Sequence, residues 1–193
     1  MLQHRHMVCM SPVVPFGEEK IFARWLTEEP YRTLSLTLLT SVVHNFKSVL
    51  PLALKVTMTK HPSSFKLEEP LKSKLESMTG NAAVTLFDGS VRDLCPLAPN
   101  NVNTMAAAAV AAHNLGFDKV QGSIVADPGL TDWHIVEVEV WGPGNIADNT
   151  AFYCQTVRRN PAKVGHVTGT ATYNSFLSSM MYAHGKGGGF HLC

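Results

Sequence analysis

A histidine at the start of a strand is the first residue of this sequence whose position suggests chemistry. In the stretch IVADPGLTDWHIVEVEV, residues 124–140, a turn built on Asp127, Pro128 and Gly129 precedes His134. Apolar and acidic residues alternate from position 135, so His134 shares the apolar face of the strand with every second valine. A histidine there is either a core residue with one satisfied hydrogen bond or a proton-transfer group lining a pocket. The strand by itself favours the core residue.

Two asparagines that precede a helix form a second candidate site. The stretch PNNVNTMAAAA places Asn101 and Asn103 before an alanine-rich helix, which is predicted to run from Thr104 to a stop at Gly116. The free N–H groups and the positive dipole end of a helix suit an anionic or carbonyl-bearing ligand. Helix-capping asparagines are the commoner explanation for a single such residue. Two of them in register with one helix start are less ordinary.

The elements that must position these residues predict an α+β fold. Alternating or β-rich runs predict strands over 52–60, 82–90, 121–127, 134–141 and 150–159, and a last helix is predicted over about 167–183. Several strands with a helix between them, the later ones joined by hairpins, are typical of an open, mostly antiparallel sheet covered by helices. The apolar stripe of the last helix, with Leu177, Met180 and Met181, favours core packing over cofactor contact.

The first fifty residues differ from the rest of the chain. They contain several prolines and a Ser/Thr/Leu run without a clean period, and they predict an irregular leader, 1–50, before a regular domain, 51–193. The longest uncharged run near the start, 33–46, is shorter than the roughly 20 apolar residues that cross a bilayer. We therefore expect no membrane partner.

Composition and charge exclude several classes of function. The net charge of +1, without a basic cluster, offers no field to hold nucleic acid. The four cysteines form no CxxC pair and indicate reduced thiols in a cytoplasmic protein, and the nine scattered histidines predict no metal site. There is no G-x-G-x-x-G dinucleotide fingerprint and no G-x-S-x-G elbow.

Three ordered motifs resemble the L-aspartate dehydrogenase family. They are NNVNTMAAAAVA, ADPGLTDWHIVEVEVWG and RRNPAKVGHVTGTAT, and the stretch from about Leu54 to Cys193 resembles the C-terminal half of the aspartate dehydrogenase domain-containing proteins of animals. The resemblance implies an α+β domain of the type in the C-terminal half of glyceraldehyde-3-phosphate dehydrogenase. It implies oxidation of L-aspartate to iminoaspartate with NAD or NADP, linked to NAD biosynthesis, in a homo-oligomer with a dimer contact.

The same resemblance assigns roles to individual residues. His134 matches the family's general acid/base, a role that needs a group accepting a proton near neutral pH. Asn103, with Asn101 beside it, matches the asparagine that contacts the nicotinamide cofactor. Asn160 and Thr168 match positions inferred to support the substrate pocket. Asp132 stands where many members have asparagine, and is expected to affect the orientation of His134 or of the substrate.

Three functions follow from these observations. The first is an oxidoreductase of this family; because residues 1–50 lack its glycine fingerprint, the chain is expected to be a truncated or alternatively spliced form without the Rossmann half. The second is a catalytically inactive dimerising module that keeps the fold and pairs with a full-length partner. Separately, the last helix, with Met180 and Met181, is a candidate for an exposed apolar surface where the missing half would dock. The third is a binding domain for a dicarboxylate, which is weakened because few basic residues are placed to hold two carboxylates.

Overall fold

The computed structural model describes residues 51–145 and 147–184. The predicted leader, 1–50, lies outside them. The five strands are β1 (Ala53–Lys60), β2 (Val84–Ser90), β3 (Gln121–Ala126), β4 (Trp133–Trp141) and β5 (Tyr153–Pro161). The helices are α1 (Leu71–Glu76), α2 (Val91–Leu94), α3 (Asn103–Ala111), α4 (Gly116–Lys119) and α5 (Ala171–Ala183), and a 3-10 turn spans Pro62–Ser64.

The strands form one open sheet in the order β2-β3-β1-β4-β5. The pairs β1–β4, β2–β3 and β4–β5 are antiparallel, and β1–β3 is parallel. The parallel pair needs a long crossover, and the segment between β1 and β3 supplies it with β2 and the helices α1 to α4. The predicted α+β class, with a mostly antiparallel open sheet and helices on it, is confirmed.

One face of the sheet is buried, as the two-residue period predicts. Along β1 and β4 the residues alternate between buried and half-buried, so that each strand presents one face to the core. The core consists of these residues and of the helix side chains that pack on them, among them Val56, Val138, Leu94 and Met105. The histidine that opens β4 lies on this buried face.

The helices approach the sheet closely because β3 carries a glycine at the contact. A Cβ atom at Gly122 would lie 3.0 Å from both the Leu94 side chain and the Met105 sulfur. Leu94 and Met105 are fully buried there. The missing side chain of Gly122 therefore lets α2 and α3 pack directly on the strand, and this contact sets the depth of the α3 N-terminus over the sheet.

Two predicted helices have different limits in the structure. The alanine-rich helix ends at Ala111, and Gly116, with a φ of 61°, begins α4. Between them the Asn114 side chain donates a hydrogen bond to the Pro51 carbonyl at 2.7 Å, a tertiary contact that competes with continuation of the helix. The last helix begins at Ala171, and residues 167–169, which precede it, line a pocket.

The prediction that the apolar stripe of the last helix packs in the core is wrong. In the part of α5 whose side chains are described, five large apolar residues are more than half exposed: Tyr173, Leu177, Met180, Met181 and Tyr182. Helical periodicity reports that apolar residues share a face, but it does not say what covers that face. No helix among the described residues is long and apolar enough to span a bilayer.

Matched leucine substitutions would test this placement of the core. Leu94→Ala is expected to lower the free energy of unfolding by about 2–5 kcal/mol, because it leaves a cavity between α2 and β3. Leu52→Ala, at a side chain that is 61% exposed, should change it by about 0.5 kcal/mol or less. Urea unfolding followed by circular dichroism measures both, and equal effects of the two substitutions would contradict the described core.

Candidate functional site

Two rows of side chains cross the buried face of the sheet at one end. His134 on β4 is paired with Asn160 on β5, and the β1–β4 register that pairs Thr59 with Ile135 brings Lys60 to the other side of His134. Directly paired residues point to the same face. The next row contains Met58, Val136 and Arg158. The apolar sheet face therefore becomes polar where β1 ends and β4 begins.

These rows form the floor of a pocket of about 90 Å³. The start of α3 and the segment between β5 and α5 form its walls. A site for one water needs roughly 10–15 Å³, so a pocket of this size accommodates a ligand of several heavy atoms. Its lining residues are Met58, Lys60, Asn100, Asn101, Asn103, Thr104, His134, Val136, Arg158, Asn160, Val167, Thr168, Gly169 and Thr172.

Lys60 is the most deeply buried charged group of the pocket, with 4% of its surface exposed. Its amino group donates hydrogen bonds to the Asn101 Oδ1 atom at 3.1 Å and to the Val167 carbonyl at 2.9 Å. It also lies 5.7 Å from the centre of the Phe65 ring, within the range of a cation–π contact. Burial lowers the pKa of Lys60 from 10.5 to about 7, because these neutral partners replace water only in part.

Asn101 holds this amino group in place. The asparagine is 2% exposed, and its Nδ2 atom donates a hydrogen bond to the Lys66 carbonyl at 2.9 Å. Because that bond takes the amide nitrogen, the Oδ1 atom must face Lys60. The residue does not cap α3, whose N-cap is Val102 and has no side-chain cap hydrogen bond. For Asn101 the capping explanation is therefore wrong, and this residue connects the α3 entrance to the end of β1.

His134 is buried, with 4% of its surface exposed, and its Nε2 atom has no hydrogen-bond partner among the described residues. The pKa of His134 is lowered from 6.5 to about 4, first by burial and then by the Lys60 charge, and a hydrogen bond with the His166 backbone offsets part of this shift. A hydrogen bond that raises a histidine pKa joins a ring N–H to an acceptor, so Nδ1 carries the proton. The Nε2 lone pair of a neutral ring is then available to a ligand.

The structure brings most of the predicted site residues together. Asn103 is the first residue of α3 and lines the pocket beside Asn101. Asn160 lies opposite His134, and Thr168 lies on the wall after β5. Gly169 allows that wall to approach, since a Cβ there would lie 3.0 Å from the Asn160 Cβ atom.

Asp132 is the predicted residue that the structure places elsewhere. Its side chain is exposed, accepts a hydrogen bond from the Thr131 hydroxyl at 2.9 Å, and does not line the pocket. Its backbone carbonyl accepts a hydrogen bond from Ala162 N at 2.9 Å, which extends the β4–β5 pairing. Side chains two positions apart point to the same face only within a continuous strand. Because β4 begins at Trp133, Asp132 lies before the strand and does not share the face of His134.

Lys60 and Arg158 are pocket residues that the sequence interpretation missed. The signal for Lys60 was its register, because it continues the buried series Leu54, Val56 and Met58 by one more step of two. The corresponding signal for Arg158 is weak, since β5 alternates between exposed and half-buried residues. Two basic residues thus line the pocket that the sequence interpretation had not placed there, while the expectation that few are placed to hold two carboxylates stays a prediction.

The fold and the pocket together define a class of protein, an α+β domain with a buried lysine and a neutral histidine in one pocket. Comparison with known sequences identifies the family. The sequence matches the family described as "Aspartate dehydrogenase, C-terminal" over residues 45–179. The chain belongs to this family, which confirms the resemblance seen in its motifs.

Individual proteins of known sequence or structure are similar to this chain. An aspartate dehydrogenase domain-containing protein of Xenopus tropicalis is 53% identical over 141 residues, 73% of this chain and 49% of that protein. An L-aspartate dehydrogenase of Methanococcoides burtonii is 34% identical over 88 residues, 44% of this chain and 31% of the relative. The crystal structure of aspartate dehydrogenase from Thermotoga maritima aligns with a TM-score of 0.46 and 18% identity, over 81% of this chain and 52% of that one. The chain thus spans about half the length of the Xenopus relative.

The burial of Lys60 predicts a dependence of stability on pH. The folded pKa of about 7 lies below the unfolded value of 10.5, so the unfolded chain binds more protons between these limits and wild-type stability rises with pH. Relative to Lys60→Met, the wild-type free energy of unfolding should rise by about 3 kcal/mol between pH 7 and pH 10. Denaturant titrations at each pH measure it. The same substitution at the exposed Lys72 is the matched control for removal of a lysine. A flat difference for Lys60 would refute its burial as a neutral amine.

Proposed function

We propose that residues 51–193 form the catalytic domain of an NAD(P)-dependent L-aspartate dehydrogenase, in which the amine of L-aspartate is oxidised to iminoaspartate. The observation that carries the proposal is the buried Nε2 atom of His134, which has no partner among the described residues. Family membership and the L-aspartate dehydrogenase relative support the substrate and the reaction class. Iminoaspartate then hydrolyses to oxaloacetate and ammonia or is used in NAD biosynthesis.

His134 is the proposed acid/base group. Oxidation of the substrate removes one hydride from the α-carbon and one proton from the ammonium nitrogen, and leaves a C=N bond. The Nε2 lone pair accepts the proton, while the backbone of His166 holds the opposite side of the ring. A pKa of about 4 is low for this step, and a carboxylate bound beside Lys60 would raise it by offsetting the lysine charge.

The pocket is too small for a whole dinucleotide, and we assign to it a small amino acid and the reactive end of a nicotinamide cofactor. When bound, the cofactor supplies the hydride acceptor. Asn103, at the first turn of α3, is the residue proposed to contact the nicotinamide, with Asn101 holding Lys60 beside it. Only one strand pair is parallel in the described residues, 51–145 and 147–184. We therefore propose that the rest of the cofactor site lies outside these residues.

Asn160 and Thr168 are proposed to support the substrate. Asn160 stands opposite His134 in the sheet, where its amide can orient a polar ligand towards the ring. Thr168 follows Val167, whose carbonyl accepts a hydrogen bond from Lys60. A movement of this wall would therefore shift Thr168 and the hydrogen bond to Lys60 together. For Asp132 we propose only a backbone role, because its carbonyl joins β4 to the residue that follows β5.

A second candidate function is a catalytically inactive module that pairs with a second chain. The exposed apolar residues of α5 favour it, because contiguous apolar surface commonly marks an interaction site. The two functions differ in their demand for cofactor. Oxidation of L-aspartate by a fusion protein that joins this domain to the remaining half of the Xenopus relative separates them, since an inactive module supports no turnover even when the cofactor half is present.

His134→Asn tests the proposed activity in a fusion protein that joins this domain to the remaining half of the Xenopus relative. We expect kcat for L-aspartate to fall by about 10²–10⁴-fold, because a general acid/base group is lost. The control is His113→Asn, at an exposed histidine outside the pocket, which should leave kcat unchanged. Thermal unfolding of both variants separates rate from folding. Full activity in a stably folded His134→Asn protein would end the acid/base assignment.

A further inference from the structure

The amino group of Lys60 is a buried cation site without an anion beside it in the described part of the chain. The Asn101 Oδ1 atom and the Val167 carbonyl are neutral acceptors. Lysines are almost never fully buried unless they are paired. An ammonium has three N–H donors, and these two oxygens accept from two of them. One donor of the charged form therefore remains for a ligand.

The surroundings keep this donor at the pocket. The Asn101 amide cannot turn over without losing its hydrogen bond to the Lys66 carbonyl, so its oxygen stays directed at Lys60. Arg158 lies on the adjacent row of the same sheet face and lines the same pocket. The pocket thus combines one lysine fixed by buried neutral groups with a second, permanently charged side chain.

We propose that Lys60 is the carboxylate-binding residue of this pocket, and that an anionic ligand binds there together with a proton taken up from water. This inference rests on the proposed function, to which it adds the group that recognises the substrate. A bound carboxylate favours the charged form of the lysine and satisfies its remaining donor. The small volume of the pocket suits the carboxylate of an amino acid better than a whole nucleotide.

The proton uptake follows from burial and from the groups that face Lys60. In the absence of ligand the amine loses its proton above about pH 7. The titratable or charged groups facing this site are His134 from β4, Arg158 from β5 and, behind His134, His166 from the following segment. All three are basic, so none provides the counter-charge. The ligand must provide it, and affinity should fall by up to about tenfold for each pH unit above 7.

Calorimetric titration of the 193-residue chain with succinate tests the inference without cofactor and without an amine to oxidise. At pH 8, the dependence of the binding heat on buffer ionisation enthalpy should correspond to about one proton taken up per succinate. At pH 6 the uptake should be close to zero, because Lys60 is already charged. Binding at pH 8 without proton uptake would overturn the proposal, and so would the absence of binding at pH 6.

Variants assign the proton to Lys60. Lys60→Met should abolish the uptake and weaken succinate binding at least tenfold at pH 6, whereas Lys72→Met should behave as wild type. His134→Asn should retain the proton uptake. If His134→Asn loses the uptake and Lys60→Met retains it, the group that takes up the proton is the histidine. If Lys60→Met does not fold, the number of protons taken up by the wild-type chain at pH 8 and pH 6 still tests the proposal.

Two further ligands identify what is recognised. Succinamide, which has the same carbon chain without charge, should not bind measurably. Inorganic phosphate that binds as tightly as succinate, with the same uptake, would overturn the assignment to carboxylate. An inactive fusion protein together with proton-linked succinate binding would refute the dehydrogenase proposal and leave the Lys60 site standing. An active fusion protein, together with succinate binding by the 193-residue chain that takes up no proton, would refute only the Lys60 site.

Discussion

The burial of one lysine amino group is the constraint on which the functional end of this domain depends. Removing an ammonium from water is costly unless other groups replace its hydration. Here the Asn101 side chain and the Val167 carbonyl replace part of it, and the Phe65 ring lies beneath. These groups come from three separate segments. The end of β1, the entrance to α3 and the wall after β5 are therefore held around the same atom.

The sheet register explains why the histidine lies beside this lysine. The antiparallel pairing of β1 with β4 and of β4 with β5 aligns Lys60, His134 and Asn160 across three neighbouring strands. Further from this edge the same face carries Val56 and Val138, which are fully covered. A single buried face thus serves as core along most of its length and as binding pocket at its open end. Burial, and after it repulsion from the Lys60 charge, keeps the histidine neutral, which leaves its Nε2 lone pair for a ligand.

The two asparagines before α3 show how one motif divides into two roles. Asn101 uses both ends of its amide inside the protein, between Lys60 and the Lys66 carbonyl. Asn103 is half-buried at the first turn of the helix, where it lines the pocket. Residues 60 and 66 are far from the helix in sequence, so the motif contains no sign of this division. The residues that contact Asn101 and Asn103 in the folded protein give the two asparagines their different roles.

The sequence by itself determined the strands, the class of fold and the face on which His134 lies, because strand periodicity is local and relates each residue to its neighbours two positions away. It also contained the motifs that identify the family. Tertiary structure alone decided that Lys60 meets His134, that Asp132 turns away from the pocket, and that the apolar stripe of α5 is exposed. The physical reason is that pairing register, burial and desolvation arise between segments remote in the chain. A side chain's chemistry depends on which of those segments surround it.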